Sequence, residues 1–294
     1  MEPLQVGVMF WTGGDLATQV PPDQTVRMVS QLGVSCGQLG IHPGAILNNE
    51  QITVWKTALD TEGMEIVTVF SSYLGESYAS ISTVQKTVGF IPPLTREERE
   101  ARTYECSDFA SELGVSSLAT HIGFVPEDRT NPDYIAVREM VRRVCDYCAQ
   151  NDQIFALETG QEPARTLRDF IADVDRENLG INFDPANMIL YGSGEPLEAL
   201  EIVREHVVTV HCKDAKWPTE RGQWGTETPL GKGDVSIDKF LTKLKEIGYW
   251  GPLVIEREIT GEKQQVDIRA GIAWLEELRA LLPTAKKSDT RSNL

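Results

Sequence analysis

"LGINFDPAN", residues 179–187, opens as a buried strand and then sets Asp184 and Asn187 where its apolar run ends. Seven other short runs rich in Val, Ile and Phe recur along the chain: "QVGVMFW" (5–11), "SCGQLGI" (35–41), "EIVTVFSS" (65–72), "SSLATHIG" (116–123), "QIFALETG" (153–160), "VVTVHCKDA" (207–215) and "GPLVIERE" (251–258). Between them lie stretches such as "DQTVRMVSQLG", "NEQITVWKTALDTEG" and "SIDKFLTKLKEIG", whose apolar residues repeat at three and four as a surface helix requires. Several stop at a glycine (Gly33, Gly63, Gly114, Gly248), where a left-handed cap costs little. Thr95-Arg96-Glu97-Glu98 predicts a capping box at another helix start.

Eight strands that each lead into a helix predict a parallel sheet, and eight is the count that closes as a (β/α)8 TIM barrel. A doubly wound open sheet is the runner-up. The early βα turns carry no GxGxxG, and polar residues are shared over many strand ends. The expected fold class is therefore α/β, a single (β/α)8 barrel over residues 1–282 with its active site at the C-terminal ends of the strands. Residues 283–294, "PTAKKSDTRSNL", read as a polar, flexible tail. Two insertions, 73–94 after the third strand and 216–234 after the seventh, fall where they would wall a site at that face.

Composition narrows the partners. The chain has 294 residues, 41% hydrophobic and 24% charged, as expected of a globular chain with a substantial core. Its net charge of -16 repels nucleic acid and anionic membranes and favours a small polar substrate. Five cysteines, an odd number in apolar or helical contexts, read as reduced thiols; Cys145 and Cys148 form a CxxC assigned to helix packing. With no basic leader and no apolar run near the roughly 18 residues that span a bilayer, a cytoplasmic protein is expected.

Strand parity concentrates the chemistry. Side chains alternate between faces, so Phe155 and Leu157 are predicted under helices while Ala156 and Glu158 point into the barrel. By the same rule Asn182 and Asp184 share a face, as do Thr209, His211 and Lys213, and Val254, Glu256 and Glu258. Acids and an imidazole thus converge on one mouth from four successive strands. Burying such like charges without a cation costs several kcal/mol or forces protonation. An oxygen-rich set with a single nitrogen suits Mn2+, Mg2+ or Co2+ better than a closed structural zinc.

The order "ALETG", "NFDPAN", "VHCKDA", "PLGKGD" and "GPLVIERE" resembles the xylose isomerase-like barrels, in particular the sugar isomerase/epimerase branch with its ketose 3-epimerases and hydroxypyruvate isomerase. The resemblance covers nearly the whole chain. It implies that Glu158, Asp184, His211 and Glu256 bind one divalent metal ion, Mn2+ first, with Mg2+, Co2+ or Zn2+ as alternatives. It also implies that Glu158 and Glu256 are the catalytic acid/base pair. The implied activity is isomerisation or epimerisation of a keto sugar or related polyol through an enediolate. Elimination on a 3-keto glycoside or keto-polyol, by a lyase or dehydratase, is the alternative, and a non-catalytic sugar-binding barrel is the third reading. A carbohydrate substrate and a homodimer or homotetramer are the implied partners.

The chain departs from the resemblance at one point. Many epimerases of the group carry Asp-x-x-His on the sixth strand, whereas the fourth position here is Asn187, an amide that cannot titrate near neutral pH. Endonuclease IV-type barrels, with many His ligands around three zinc ions, fit poorly to a chain with four histidines. His121, Asn187, Lys213 and Trp217 are the expected substrate contacts, with Trp224 as a second stacking residue and His42 as a weaker histidine contact. His206 reads as structural. Asp214, of opposite parity to Lys213, is assigned to bracing its loop. Gly231 and Gly233 in "GKGD" are assigned to turn geometry rather than to a phosphate cradle.

Overall fold

A computed structural model describes residues 2–13, 20–220 and 222–281; the expected tail and the barrel boundary at 282 lie outside the described residues. Eight strands form a closed parallel barrel in the order β1-β10-β7-β6-β5-β4-β3-β2. They are β1 (Val6–Trp11), β2 (Cys36–Ile41), β3 (Glu65–Ser71), β4 (Ser117–Thr120), β5 (Ile154–Glu158), β6 (Leu179–Phe183), β7 (Val207–Cys212) and β10 (Leu253–Ile255). A separate antiparallel hairpin, β8 (Asp214–Lys216) with β9 (Thr226–Thr228), occupies the insertion after β7. The helices are α1 (Pro22–Ser30), α2 (Asn49–Glu62), α3 (Ile81–Thr87), α4 (Arg96–Glu112), α5 (Pro132–Gln150), α6 (Ala164–Val174), α7 (Pro185–Tyr191), α8 (Pro196–Val203), α9 (Ile237–Glu246) and α10 (Glu262–Leu281). Among the described residues no helix is long and apolar enough to cross a membrane.

Strand alternation sorts the side chains into two shells. Phe155, Leu157, Ile181, Phe183 and Val210 belong to the large core between strands and helices. Met9, Phe70, Ala119, Ala156 and Val254 form a smaller apolar group inside the barrel. Polar Gln38, Asn182 and Thr209 are fully or almost fully buried in the same interior. Cys145 and Cys148 are buried free thiols on α5, packed into the outer core as the helical reading requires.

Gly63 ends α2 in the left-handed region, at φ +62°. The capping box at Thr95 does not form. Pro92 and Pro93 lead into a single 3-10 turn, Pro93–Thr95, which runs straight into α4 with Thr95 at φ -112°, ψ 0°. Its hydroxyl donates to Pro92 O at 3.4 Å instead of accepting an N–H of the first turn. The proline-fixed backbone has already begun to turn before the threonine can adopt the extended geometry of a cap.

Both insertions are tied down by charged side chains. In residues 73–94, Glu76 accepts from Tyr73 N at 3.1 Å and Gly89 N at 2.8 Å. Arg99 reaches back from α4 to the carbonyls of Leu74, Thr87 and Gly89. In the seventh loop, the Asp214 carboxylate accepts four backbone N–H groups, from Ala215, Gly231, Gly233 and Val235, at 2.9–3.2 Å. The glycine loop is thus a turn folded around a carboxylate. A Cβ at Gly233 would overlap Asp214 Oδ1 and the Ala215 backbone.

Candidate metal centre

Each cage residue is placed by its strand end. Glu158 closes β5, His211 lies in β7, Asp184 follows β6 and Glu256 follows β10. Register sets Glu158 beside Asn182 and Val254 beside His211. The four come from four adjacent barrel strands, with Glu158 and Glu256 at the two ends of the arc. One potential ligand atom from each lies within 4.8 Å of all the others, and all four residues are buried around these atoms.

Asp184 shows how local sequence shapes the centre. It is the N-cap of α7, with Pro185 in the first turn, and its Oδ1 accepts from Ala186 N at 2.8 Å and Asn187 N at 2.9 Å. That use of one oxygen fixes the carboxylate and leaves Oδ2 facing the cage. Thr159 staples the neighbouring strand ends: its Oγ1 accepts from Asp184 N at 2.8 Å and donates to Asp184 O at 3.0 Å.

His211 is oriented from across the barrel. Its Nε2–H donates to Gln38 Oε1 at 2.9 Å, while Gln38 Nε2 donates to Thr209 Oγ1 at 2.8 Å and Asn182 Oδ1 at 3.1 Å. Nδ1 is thereby left toward Glu158 Oε1 (2.9 Å), Glu256 Oε2 (3.3 Å) and Asp184 Oδ2 (3.4 Å). Although buried, Asp184 Oδ2 and His211 Nδ1 have no hydrogen-bond partner. Two orphaned donor atoms aimed into a cluster of three carboxylates fit a divalent cation, and an oxygen-rich set with one imidazole fits Mn2+, Mg2+ or Co2+.

The electrostatics are those of a site short of positive charge. Burial lowers the His211 pKa, but Glu256 and Glu158 outweigh it and hold the imidazole well above its ordinary value. Burial likewise disfavours the His121 imidazolium, and Glu158, whose Oε2 is 2.9 Å from Nε2, outweighs it to raise that pKa to about 9. Desolvation would raise Glu158, yet His121 and His211 hold it below the usual carboxylate range. Lys213 adds a fully buried ammonium, 3.0 Å from Glu256 Oε2, 3.1 Å from Glu258 Oε2 and 3.1 Å from Asn187 Oδ1.

The centre floors a cavity of about 730 Å³. His121, Asn187, Glu158 and Glu256 line it, and Lys213 sits behind them, enclosed by Asn187, Glu256 and Glu258. Both insertions supply walls, through Tyr73, Glu76 and Tyr78 on one side and Trp224 and Glu227 on the other. Trp217 stands apart from the expected contacts. It follows β8 on the solvent side of the hairpin, 41% exposed, and does not line the cavity. Trp224, from the same loop, does, packed 4.6 Å from the Tyr191 ring. His42 accepts from Gly44 N to close its own turn outside the lining, and His206 lies in the 3-10 turn at the opposite, N-terminal end of β7.

Sequence reasoning missed Gln38 and Gln161. The Gln161 amide lies 2.8 Å from His121 Nδ1, directing the other ring nitrogen at Glu158. Gln38 carried a signal, being a lone amide at an inward position in "CGQLGI". Orienting partners of ligand histidines typically carry one to two orders of magnitude in metal affinity. Gln38→Leu is therefore expected to weaken Mn2+ binding by about 10–100-fold in isothermal titration; an unchanged affinity would remove Gln38 from the centre.

Residues 26–278 match the family described as the xylose isomerase-like TIM barrel. A curated relative, an uncharacterized protein of Methanocaldococcus jannaschii, is 28% identical over 183 residues, 56% of this chain and 60% of its own length; the chain thus spans about three fifths of that relative. A solved structure, a xylose isomerase domain protein from Planctomyces limnophilus, is 41% identical with a TM-score of 0.89 over 94% of this chain and 98% of that one. D-psicose 3-epimerase from Clostridium cellulolyticum H10, solved with D-tagatose, shares the fold at 17% identity, with a TM-score of 0.67 over 93% of this chain and 99% of that one. With its closed eight-stranded barrel and this match over most of its length, the chain belongs to the xylose isomerase-like TIM barrel family.

Proposed function

We propose that the protein is a divalent-metal-dependent isomerase or epimerase acting on a keto sugar or related polyol by proton abstraction. The observation that carries this reading is the placement of two buried carboxylates, Glu158 and Glu256, at opposite ends of the four-strand arc, both opening on one cavity. Glu158, Asp184, His211 and Glu256 would hold the metal. When bound, the cation supplies Lewis-acid stabilisation of the negative charge that develops on substrate oxygens.

The chain's own residues do the rest. One glutamate takes the proton from the carbon next to the carbonyl, and the other returns a proton from the opposite side, the arrangement epimerisation requires. His121, held by Gln161, donates to Glu158 and keeps that carboxylate ionised. Asn187, its Oδ1 held by Lys213 Nζ, lines the cavity with an amide that can donate to a substrate hydroxyl without moving a proton at neutral pH.

A second reading has its own observation. Glu258, exposed at the cavity edge, sets a second carboxyl near Glu256, with Lys213 Nζ 3.1 Å from its Oε2. A carboxyl in that place is positioned to relay a proton to a leaving oxygen, which would turn the same carbanion chemistry into a β-elimination. Incubation of a panel of keto sugars and 3-keto glycosides in deuterated water with Mn2+ decides between them. Isomerisation leaves one deuterium in recovered substrate or product with every carbon retained, elimination releases the β-substituent, and unlabelled sugar across the panel counts against both. Metal analysis should give about one divalent ion per chain.

A further inference from the structure

The cavity is larger than its chemistry needs. A six-carbon sugar displaces about six waters, and at roughly 30 Å³ each that is about a quarter of the cavity's 730 Å³. The excess space has a built wall. Phe70 lies 6.4 Å from the His211 ring and 5.8 Å from His121, directly beside the cage, and Trp11 lies one aromatic step farther out, 6.1 Å from Phe70 at 69°.

Trp11 ends β1 and is 41% exposed, the least covered large aromatic on that path. Its other face is fixed. A Cβ at Gly40 on the neighbouring strand β2 would lie within 2.7 Å of three ring carbons, Cδ2, Cε2 and Cε3, so the indole lies flat on the glycine backbone. Backed by main chain at Gly40 and set at 69° to Phe70, the half-exposed ring lines the cavity. A rigid, half-exposed indole is the surface on which the apolar C–H face of a pyranose stacks.

Charge restricts the class further. Among the described residues the cavity is lined by five carboxylates (Glu76, Glu158, Glu227, Glu256 and Glu258), one guanidinium and the His121 imidazole, which is taken up by Glu158. That guanidinium, Arg257, is already paired with Glu227 at 2.9 Å and Asp267 at 3.0 Å. Lys213 is likewise taken up by Glu256 and Glu258. A phosphorylated or carboxylated sugar would find repulsion and no unpaired cation among these residues.

Resting on the isomerase reading above, we infer that the substrate is an uncharged sugar of at least two units, a keto disaccharide or glycoside. Its reacting unit sits against the cage and its second unit stacks on Trp11. The Mn2+-loaded protein is titrated calorimetrically with matched pairs, fructose against isomaltulose and 3-ketoglucose against 3-ketotrehalose, and with fructose 6-phosphate.

In at least one pair the two-unit sugar is expected to bind about tenfold tighter. That ratio should fall toward one in Trp11→Ala and be partly kept in Trp11→Phe, which preserves the packing on Gly40. Pairs that all agree within about twofold, no binding by any of them, or a preference that survives Trp11→Ala overturns the subsite. Fructose 6-phosphate binding as tightly as the two-unit sugars overturns the uncharged class. Deuterium exchange, measured in parallel, separates the two levels. Trp11-dependent preference without exchange sinks the reaction while sparing the subsite, and exchange on the single sugars without preference does the reverse.

Discussion

At saturating divalent metal, Glu158→Gln and Glu256→Gln are each expected to lower conversion of the keto sugar by about a thousandfold. The amide keeps the shape of the side chain and one donor oxygen but removes the charge and the basicity on which proton transfer depends. Each glutamate is already committed to its state by its neighbours: Glu158 by the two imidazoles, Glu256 by Lys213 and His211. The measurement is conversion and solvent deuterium uptake, followed by NMR, with metal content determined for each variant. Full turnover in both would end the shared-proton mechanism. Loss of turnover together with loss of metal at saturation would show only that the ligand set had failed.

Asp214→Ala is expected to lower stability by about 2–4 kcal/mol, since it strips a charged acceptor from four backbone N–H groups and leaves those of Ala215 and Val235 buried. For a chain of this size that is a fall in Tm of about 3–6 °C. Asp214→Asn, which keeps one acceptor oxygen, should lose less. A melting temperature within about 1 °C of the parent for Asp214→Ala would mean that the loop finds other partners for these groups. Because the same loop delivers Trp224 and Glu227 to the cavity wall, sugar binding should weaken along with stability.

How far the sequence carried depends on which interactions are local. The barrel was legible because each strand is a compact apolar run and each helix has its own period, signals contained within about ten residues. Parity then placed Glu158, Asp184, His211 and Glu256 at one mouth, since in a closed barrel the inward face of every strand end is the same place. Gln38 was invisible as a partner of His211 because 173 residues separate them and only closure of the barrel brings them together. Trp217 and Trp224 could not be told apart for a related reason. Their loop folds as a hairpin, and which tryptophan faces inward depends on the antiparallel register of Ala215 against Glu227 rather than on helix or strand period. The capping box failed on two prolines immediately upstream, a case of one local rule overriding another.

The amide of Gln38 also bears on modularity. All four cage residues fall between positions 158 and 256, within the second half of the chain, whereas the side chain that aims His211 belongs to the second strand. A fragment beginning near residue 150 would therefore carry every metal donor yet lack the part that orients the one nitrogen among them. The centre belongs to the whole ring of strands, and half-barrels cannot inherit it by division.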